Sequence, residues 1–154
     1  MVSIISNSKG GLSEALASES VVLKKGSAEL RGYRRLVVQA DCDIEGKFDA
    51  VIMRGPIRPE LKQCLRSDTV LFVSSADYSA LDSLTCLDCV VVTVGFSERD
   101  TVCLTSVDGR SCSASVQREI PLAGGCVEVQ EIVFDTADDC DLFEEVCARL
   151  TLLV

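Results

Sequence analysis

Six short runs of β-favouring apolar residues, at 2–6, 21–23, 36–40, 50–53, 69–74 and 89–94, recur through the first part of the chain, and several are unbroken rather than alternating. An alternating strand buries one face of a sheet and wets the other. An unbroken one, such as "AVIM" or "TVLFVS", needs cover on both faces, which helices on either side of a parallel sheet supply. The intervals carry candidate helices: Leu12, Ala15 and Leu16 share a face, Leu61, Cys64 and Leu65 share another, and 78–84 forms a shorter third. Pro59 suits a first helical turn because the amide hydrogen it lacks would have no intrahelical partner there. Strands alternating with helices of this length predict a largely parallel sheet with right-handed crossovers.

Beyond Gly95 the pattern changes. Runs at 101–107 and 113–120 flank "DGRSC", in which Asp108-Gly109 is a turn signal, so a hairpin is expected. A third run at 127–134 follows the break at "LAGG". The closing "TADDCDLFEEVCARLTLLV" puts acids in a first helical turn, towards the positive end of the dipole, and sets Leu142, Phe143, Val146 and Leu150 on one stripe. That helix is expected to dock on the sheet, with "ADDCD" and "FEE" as its exposed face and first turn. The expected fold class is α/β: a three-layer, Rossmann-like arrangement with a mostly parallel sheet, a small antiparallel β extension and a C-terminal helix. A length of 154 residues suits one compact domain, and no flexible spacer marks the joint near Gly95. Residues 1–154 therefore read as a single α/β domain, Rossmann-like over 1–95 and an antiparallel β unit plus helix over 96–154.

Composition narrows the function by exclusion. No apolar run approaches the roughly 20 residues that cross a bilayer, and "MVSIISNSKGG" lacks a basic leader and a cleavage site, so a cytoplasmic protein of bacterial type, with no membrane partner, is expected. Through Asp68 the chain carries 11 Lys and Arg against 9 Asp and Glu; from Thr69 onward it carries 4 against 15. The acidic second half repels phosphate backbones, and no aromatic-and-basic interleaving offers stacking for bases, so nucleic acid is not an expected partner. A small anion fits better near the first half. The absence of histidine removes Ser-His-Asp and Cys-His nucleophilic pairs and every His-containing zinc site. Nine scattered cysteines, an odd number, read as reduced thiols that pack as small hydrophobes. Cys86-Leu87-Asp88-Cys89 leads into a strand rather than opening a helix, so its thiols read as part of a turn and not as a redox or zinc pair.

One stretch, "SNSKGGLSEAL", follows the first apolar run where a phosphate loop would stand. Such a loop needs glycines whose amides wrap phosphate, a lysine for its outer oxygens and a hydroxyl for magnesium, in the order G-x-x-x-x-G-K-[ST]. Lys9-Gly10-Gly11 places the lysine ahead of the glycines, and Leu12, Ser13 and Glu14 follow. Two readings stay open. Gly10 and Gly11 make a tight strand-to-helix turn with Asn7 or Ser8 satisfying free amides, or the amides and the Lys9 ammonium receive a plain anion without metal. Ligands of open parallel sheets collect outside the carboxyl ends of the strands, where "SSAD" at 74–77 and "SERD" at 97–100 also fall. The candidate ligand-binding set is therefore Asn7, Ser8, Lys9, Gly10, Gly11, Arg54, Ser75, Asp77, Gly95, Ser97 and Glu98, with no metal and no cofactor. Asp77, Glu98 and Asp100 are candidates for a general base, or for the ordinary roles of loop acids and helix caps.

The Val-Thr-Val-Gly strand end in "VVVTVGFSERDTVCLTSVDG", the following Asp100-Thr101 and the order of elements over 90–150 resemble the tail of the central domain of Mur-type ligases. There a last parallel strand ending in glycine leads into a short antiparallel unit and then a helix. In that family the first strand runs into an ATP-binding loop ending in Gly-Lys-Thr or Gly-Lys-Ser. The corresponding place here is "SNSKGGLSEAL", so no ligase catalytic residue carries over, and neither does the ATP-driven amide-bond formation that the resemblance would imply. The expectation is a non-catalytic binding or assembly module; the alternative is an enzyme or sensor for a small anionic metabolite held at the strand ends. A homodimer is expected if "VCLTSV" and "VEVQEIVF" lie at a sheet edge.

Overall fold

The computed structural model describes residues 2–6, 21–23, 35–39, 49–57, 59–63, 65–108, 111–136 and 141–153. Among them the strands are β1 (Val2–Ser6), β2 (Val21–Leu23), β3 (Arg35–Gln39), β4 (Ala50–Met53), β5 (Val70–Ser74), β6 (Val90–Gly95), β7 (Val102–Val107), β8 (Ser111–Val116), β9 (Ile120–Leu122), β10 (Gly125–Val127) and β11 (Gln130–Asp135). The helices are α1 (Pro59–Lys62), α2 (Tyr78–Ser83) and α3 (Leu142–Leu152). A nine-stranded sheet runs in the order β11-β8-β7-β6-β5-β4-β1-β3-β2, and β9 with β10 forms a separate two-stranded ribbon. Every pairing from β2 through β7 is parallel; β8 is antiparallel to both β7 and β11. The fold is α/β with a mostly parallel sheet, an antiparallel extension and a C-terminal helix, as the run pattern implies.

The unbroken runs of β4 and β5 are buried at nearly every position because two cores meet on them. Ala50, Ile52, Val70 and Phe72 face a cluster that takes in Phe143, Val146, Cys147 and Leu150 of α3. Their alternates Val51, Met53, Leu71 and Val73 face Ile57, Leu61, Ala80 and Leu84, around α1 and α2. Two-sided cover stops there. Val91 of β6 is 39% exposed, and β8, "SCSASV", alternates half-buried serine with buried Cys112, Ala114 and Val116. The change from unbroken to alternating sequence therefore marks the point where the sheet loses its second helical layer and turns antiparallel.

Several expectations shift in detail. Strand 36–40 is Arg35–Gln39, and the run at 113–120 divides: β8 ends at Val116, polar residues 117–119 are exposed, and Ile120 opens β9. Pro59 starts a helix of a single turn, α1; Leu65 lies beyond it, while Cys64 and the candidate helix around Leu12 lie outside the described residues. "VCLTSV" is not at an edge, since β7 pairs on both sides with β6 and β8; the described edges are β11 and β2. The acids of "FEE" are not an exposed face: Glu144 and Glu145 are buried in the first turn of α3. Helix α3 is buried over almost its whole circumference, and Arg149 one turn later holds Glu145 at 2.8 Å while stacking 5.6 Å from the centre of the Phe134 ring.

Candidate functional site

Strands β4, β5 and β6 run in register, with Ala50, Val70 and Val90 side by side, so Met53, Ser74 and Gly95 end at one rim. The described end of β1, Ser6, pairs with Ile52 and lies at the same end of the sheet. Chain order reverses between β1 and β4, the switch point at which open parallel sheets place their ligands. Beside it, along the same rim, is a cavity of about 430 Å³, bounded by Arg54, residues 74–76 and 94–96, Leu104, and the start of α3 at Asp141, Leu142 and Phe143.

Carboxylates lace this rim together. The Asp77 side chain accepts hydrogen bonds from the Gly55 amide at 2.7 Å, the Ser79 hydroxyl at 2.7 Å and the Ala80 amide at 3.0 Å. It thus caps α2 and ties the turn after β4 to the turn after β5. Gly55 has φ +70°, a conformation that side chains disfavour, and it lets the amide turn inward to Asp77. These donors, the Gly55 amide first, hold the Asp77 carboxyl below its ordinary range. Asp100, 4% exposed, accepts from the Ser75 hydroxyl at 3.1 Å and the Ser97 amide at 3.0 Å, joining the turns after β5 and β6. A Cβ on Gly95 would overlap both Ser75 Oγ and Asp100 Oδ2, so glycine is what allows this clasp to close over the strand end.

Arg54 supplies the positive charge among the cavity's lining residues. Its guanidinium lies 4.6 Å from the centre of the Phe143 ring and ion-pairs with Asp141. Asp141 is the N-cap of α3 and accepts from the Glu144 amide at 3.1 Å. A flat guanidinium fork beside apolar walls and serine hydroxyls suits recognition of a carboxylate or phosphate.

Of the candidate residues, Arg54, Ser75 and Gly95 line the cavity together. Asp77 stands beside it as the α2 cap, and Ser97 and Glu98 occupy the exposed turn after β6. Asn7, Ser8, Lys9, Gly10 and Gly11 lie outside the described residues. The sequence reading missed Asp141, Phe143, Leu104 and the exposed Phe96. Asp141 was legible as a helix cap ahead of "LFEEV", but nothing local signals its pairing with Arg54. The cysteines divide: Cys103, Cys112 and Cys147 are buried, whereas Cys86 and Cys126 are exposed and do not pack as expected. Burial and the neighbouring Asp88 push the Cys89 thiol up, away from the thiolate that disulfide exchange requires. Among the described residues no group of three or more Cys, Asp or Glu is placed to hold a metal ion.

No family model and no curated protein matches the chain. Among solved structures it is similar to the murein peptide ligase Mpl from Psychrobacter arcticus 273-4, with a TM-score of 0.61 and 10% sequence identity. The fold is Mur-ligase-like. The likeness covers 99% of this chain, well beyond residues 90–150 where the sequence resemblance lay, and 44% of the ligase chain, so this chain spans less than half of that protein's length. At such identity the likeness is one of fold. Among the described residues no helix is long and apolar enough to cross a membrane.

Two consequences of the rim geometry are measurable. Gly95→Ala forces a Cβ into the Ser75–Asp100 clasp and should cost about 1–3 kcal/mol in chemical denaturation. Adding Ser75→Ala removes one of the two overlapping atoms, so the double variant should lose less than the sum of the singles. Asp77→Ala should cost about 1–2 kcal/mol at neutral pH. Because the folded carboxyl titrates below its ordinary 3.8, its stabilisation is complete above that value and is lost as pH falls through the lower folded value. The gap between wild type and Asp77→Ala should therefore be constant at neutral pH and narrow as pH drops below 3.8; a gap that does not narrow in stronger acid would contradict the assignment.

Proposed function

We propose that this chain is a non-catalytic, cytoplasmic binding module of bacterial type, a single Mur-ligase-like domain without an ATP-binding loop, whose rim site holds a small organic anion. The observation that carries the reading is Arg54, laid on Phe143 at the mouth of a cavity of about 430 Å³ where three parallel strands end. The volume falls within the range of small-ligand pockets. A catalytic role finds little support in the neighbouring acids. Asp77 and Asp100 already accept hydrogen bonds that bind one turn to the next, and the chain has no histidine to act as a base. Nor does "SNSKGGLSEAL" carry the Gly-Lys-Ser/Thr end that magnesium-bound triphosphate requires. A thermal-shift and calorimetric screen of phosphate, nucleotides, sugar phosphates and carboxylates, with and without magnesium, tests this. Magnesium-independent binding that Arg54→Gln abolishes is expected, with about 2.7 kcal/mol of stabilisation at a hundredfold excess over Kd. Magnesium-dependent ATP capture, or no ligand at millimolar concentration, would refute it.

The second reading, assembly, rests on β11. Among the described residues it is an edge strand of the sheet, and its Val133 is 71% exposed. Pairing with β11 of a second copy across a two-fold axis would satisfy that edge. Light scattering should then give a dimer at physiological salt, which screens Glu131 and Asp135, and Val133→Lys should return it to monomer; a monomer of wild type at high concentration would dismiss the dimer.

A further inference from the structure

We infer that Phe96 is the specificity-determining residue of the rim site: the small anion taken there carries a flat ring, and that ring stacks on the Phe96 side chain. The inference rests on the anion-site reading above and adds the class of ligand, an aromatic anion.

Phe96 serves neither core. Among the described phenylalanines, Phe72 and Phe143 are buried and Phe134 is half-buried against the cluster of α3, whereas Phe96 is 73% exposed and belongs to neither cluster. A ring left in water forgoes the transfer free energy that burial supplies, so the packing of this fold does not call for a phenylalanine there. Single exposed apolar side chains are common on protein surfaces. What sets Phe96 apart is its place, since it forms part of the wall of the cavity of about 430 Å³. Tyr78 gives the contrast: at the start of α2 it is 76% exposed, and it is not one of the residues that line the cavity.

The backbone on either side of Phe96 is fixed. Gly95 pairs with Cys103 of β7, the Ser97 amide donates to Asp100 Oδ2 at 3.0 Å, and the Ser97 carbonyl accepts from the Asp100 amide at 2.9 Å. The ring is carried by the same clasp that closes over the strand end, so only its side-chain torsions are settled when a ligand arrives. A contact made from such a platform loses little to ordering. The other walls include the apolar Val94, Leu104, Leu142 and Phe143. Phe143 is buried and faced by the Arg54 guanidinium, so of the two rings at the cavity Phe96 is the one that presents its surface to a ligand. An aliphatic body would gain from Phe96 only through area removed from water. A flat ring gains that, and the offset-stacked or edge-to-face attraction between aromatic quadrupoles besides.

Calorimetric titration of the whole chain with 2-naphthoate, its saturated counterpart decahydro-2-naphthoate, acetate and inorganic phosphate tests the inference on wild type, Phe96→Leu, Phe96→Tyr, Tyr78→Leu and Arg54→Gln. The two bicyclic carboxylates share a skeleton and a head group and differ in flatness. Phe96→Leu keeps an apolar side chain and removes the ring; at so exposed a position it should leave the denaturation midpoint unchanged. 2-Naphthoate should bind wild type more tightly than acetate does, lose about fivefold in affinity in Phe96→Leu and recover in Phe96→Tyr. Decahydro-2-naphthoate should bind wild type and Phe96→Leu with nearly equal affinity, and Tyr78→Leu should leave both ligands unchanged. Arg54-dependent binding of 2-naphthoate that is equal in wild type and Phe96→Leu, or of acetate or phosphate alone, would overturn the ring contact while leaving the anion site standing. Binding of 2-naphthoate that depends on Phe96 but not on Arg54 would support the ring contact and refute the anion site. An equal loss in Tyr78→Leu would show a ring that clings to exposed aromatics in general and would overturn the inference. So would a dimer that Phe96→Leu returns to monomer while 2-naphthoate is indifferent to the variant, because Phe96 would then belong to a protein contact. Failure of every anion to bind any variant would overturn the inference together with the reading on which it rests.

Discussion

Burial of β4 and β5 on both faces is the constraint from which the rest of the structure follows. A strand whose every side chain is apolar finds no stable place at a wet surface, so these two strands need helices on both sides and hydrogen-bonded neighbours on both edges. Meeting both demands puts them deep in the sheet, with α3 on one face and α1 and α2 on the other. Their ends are then fixed. The polar residues that follow them, Arg54, Ser75 and Asp77, emerge together at one rim because the strands they follow stop in register. The site is thus a consequence of the core, not an addition to it.

At that rim, acids do structural work. Turns leaving a parallel sheet expose backbone amides that lack partners, and buried unpaired amides are costly. Asp77, Asp100 and Asp141 each accept such amides, from Gly55 and Ala80, from Ser97, and from Glu144. The glycines belong to the same scheme: Gly55 turns its amide towards Asp77, and Gly95 leaves room for Asp100 to reach Ser75. An acidic rim of this kind resembles a constellation of general bases when read from sequence, yet its members are committed to hydrogen bonds. Arg54 is different, since its ion pair with Asp141 lies half-exposed at a helix end.

The parts of this arrangement that local chemistry dictates were legible in the sequence. Strand positions such as Ala50–Met53 and Val70–Ser74 follow from unbroken apolar runs whose side chains need burial on both faces, and Pro59 marks a helix start because its ring permits no other helical place nearby. The parts set by distant chain crossings were not. Helix α3 reads as amphipathic, with Glu144 and Glu145 on the wet side, but it shares a core with residues of β9, β10 and β11, and both acids are buried. Likewise Cys86, on a turn, and Cys126, in β10, end exposed instead of packing. The Arg54–Asp141 pair depends on strand order, which brings the end of β4 against the start of the last helix, and no spacing rule within the sequence encodes that meeting.

The likeness to a murein peptide ligase has to be weighed against the same division between scaffold and site. At 10% identity the two chains share almost no side chains, yet the backbone course is retained over nearly this whole chain. What such distant chains preserve is the pattern that buries the sheet, because many apolar sequences satisfy it, whereas chemistry at a strand end depends on particular groups at particular places. After the first strand the sequence reads Lys9-Gly10-Gly11, without the Gly-Lys-Ser/Thr end of a phosphate loop. Function in this chain therefore has to be argued from its own rim. There Arg54 lies on the Phe143 ring and pairs with the Asp141 cap of the last helix, and the proposed small-anion site rests on that geometry.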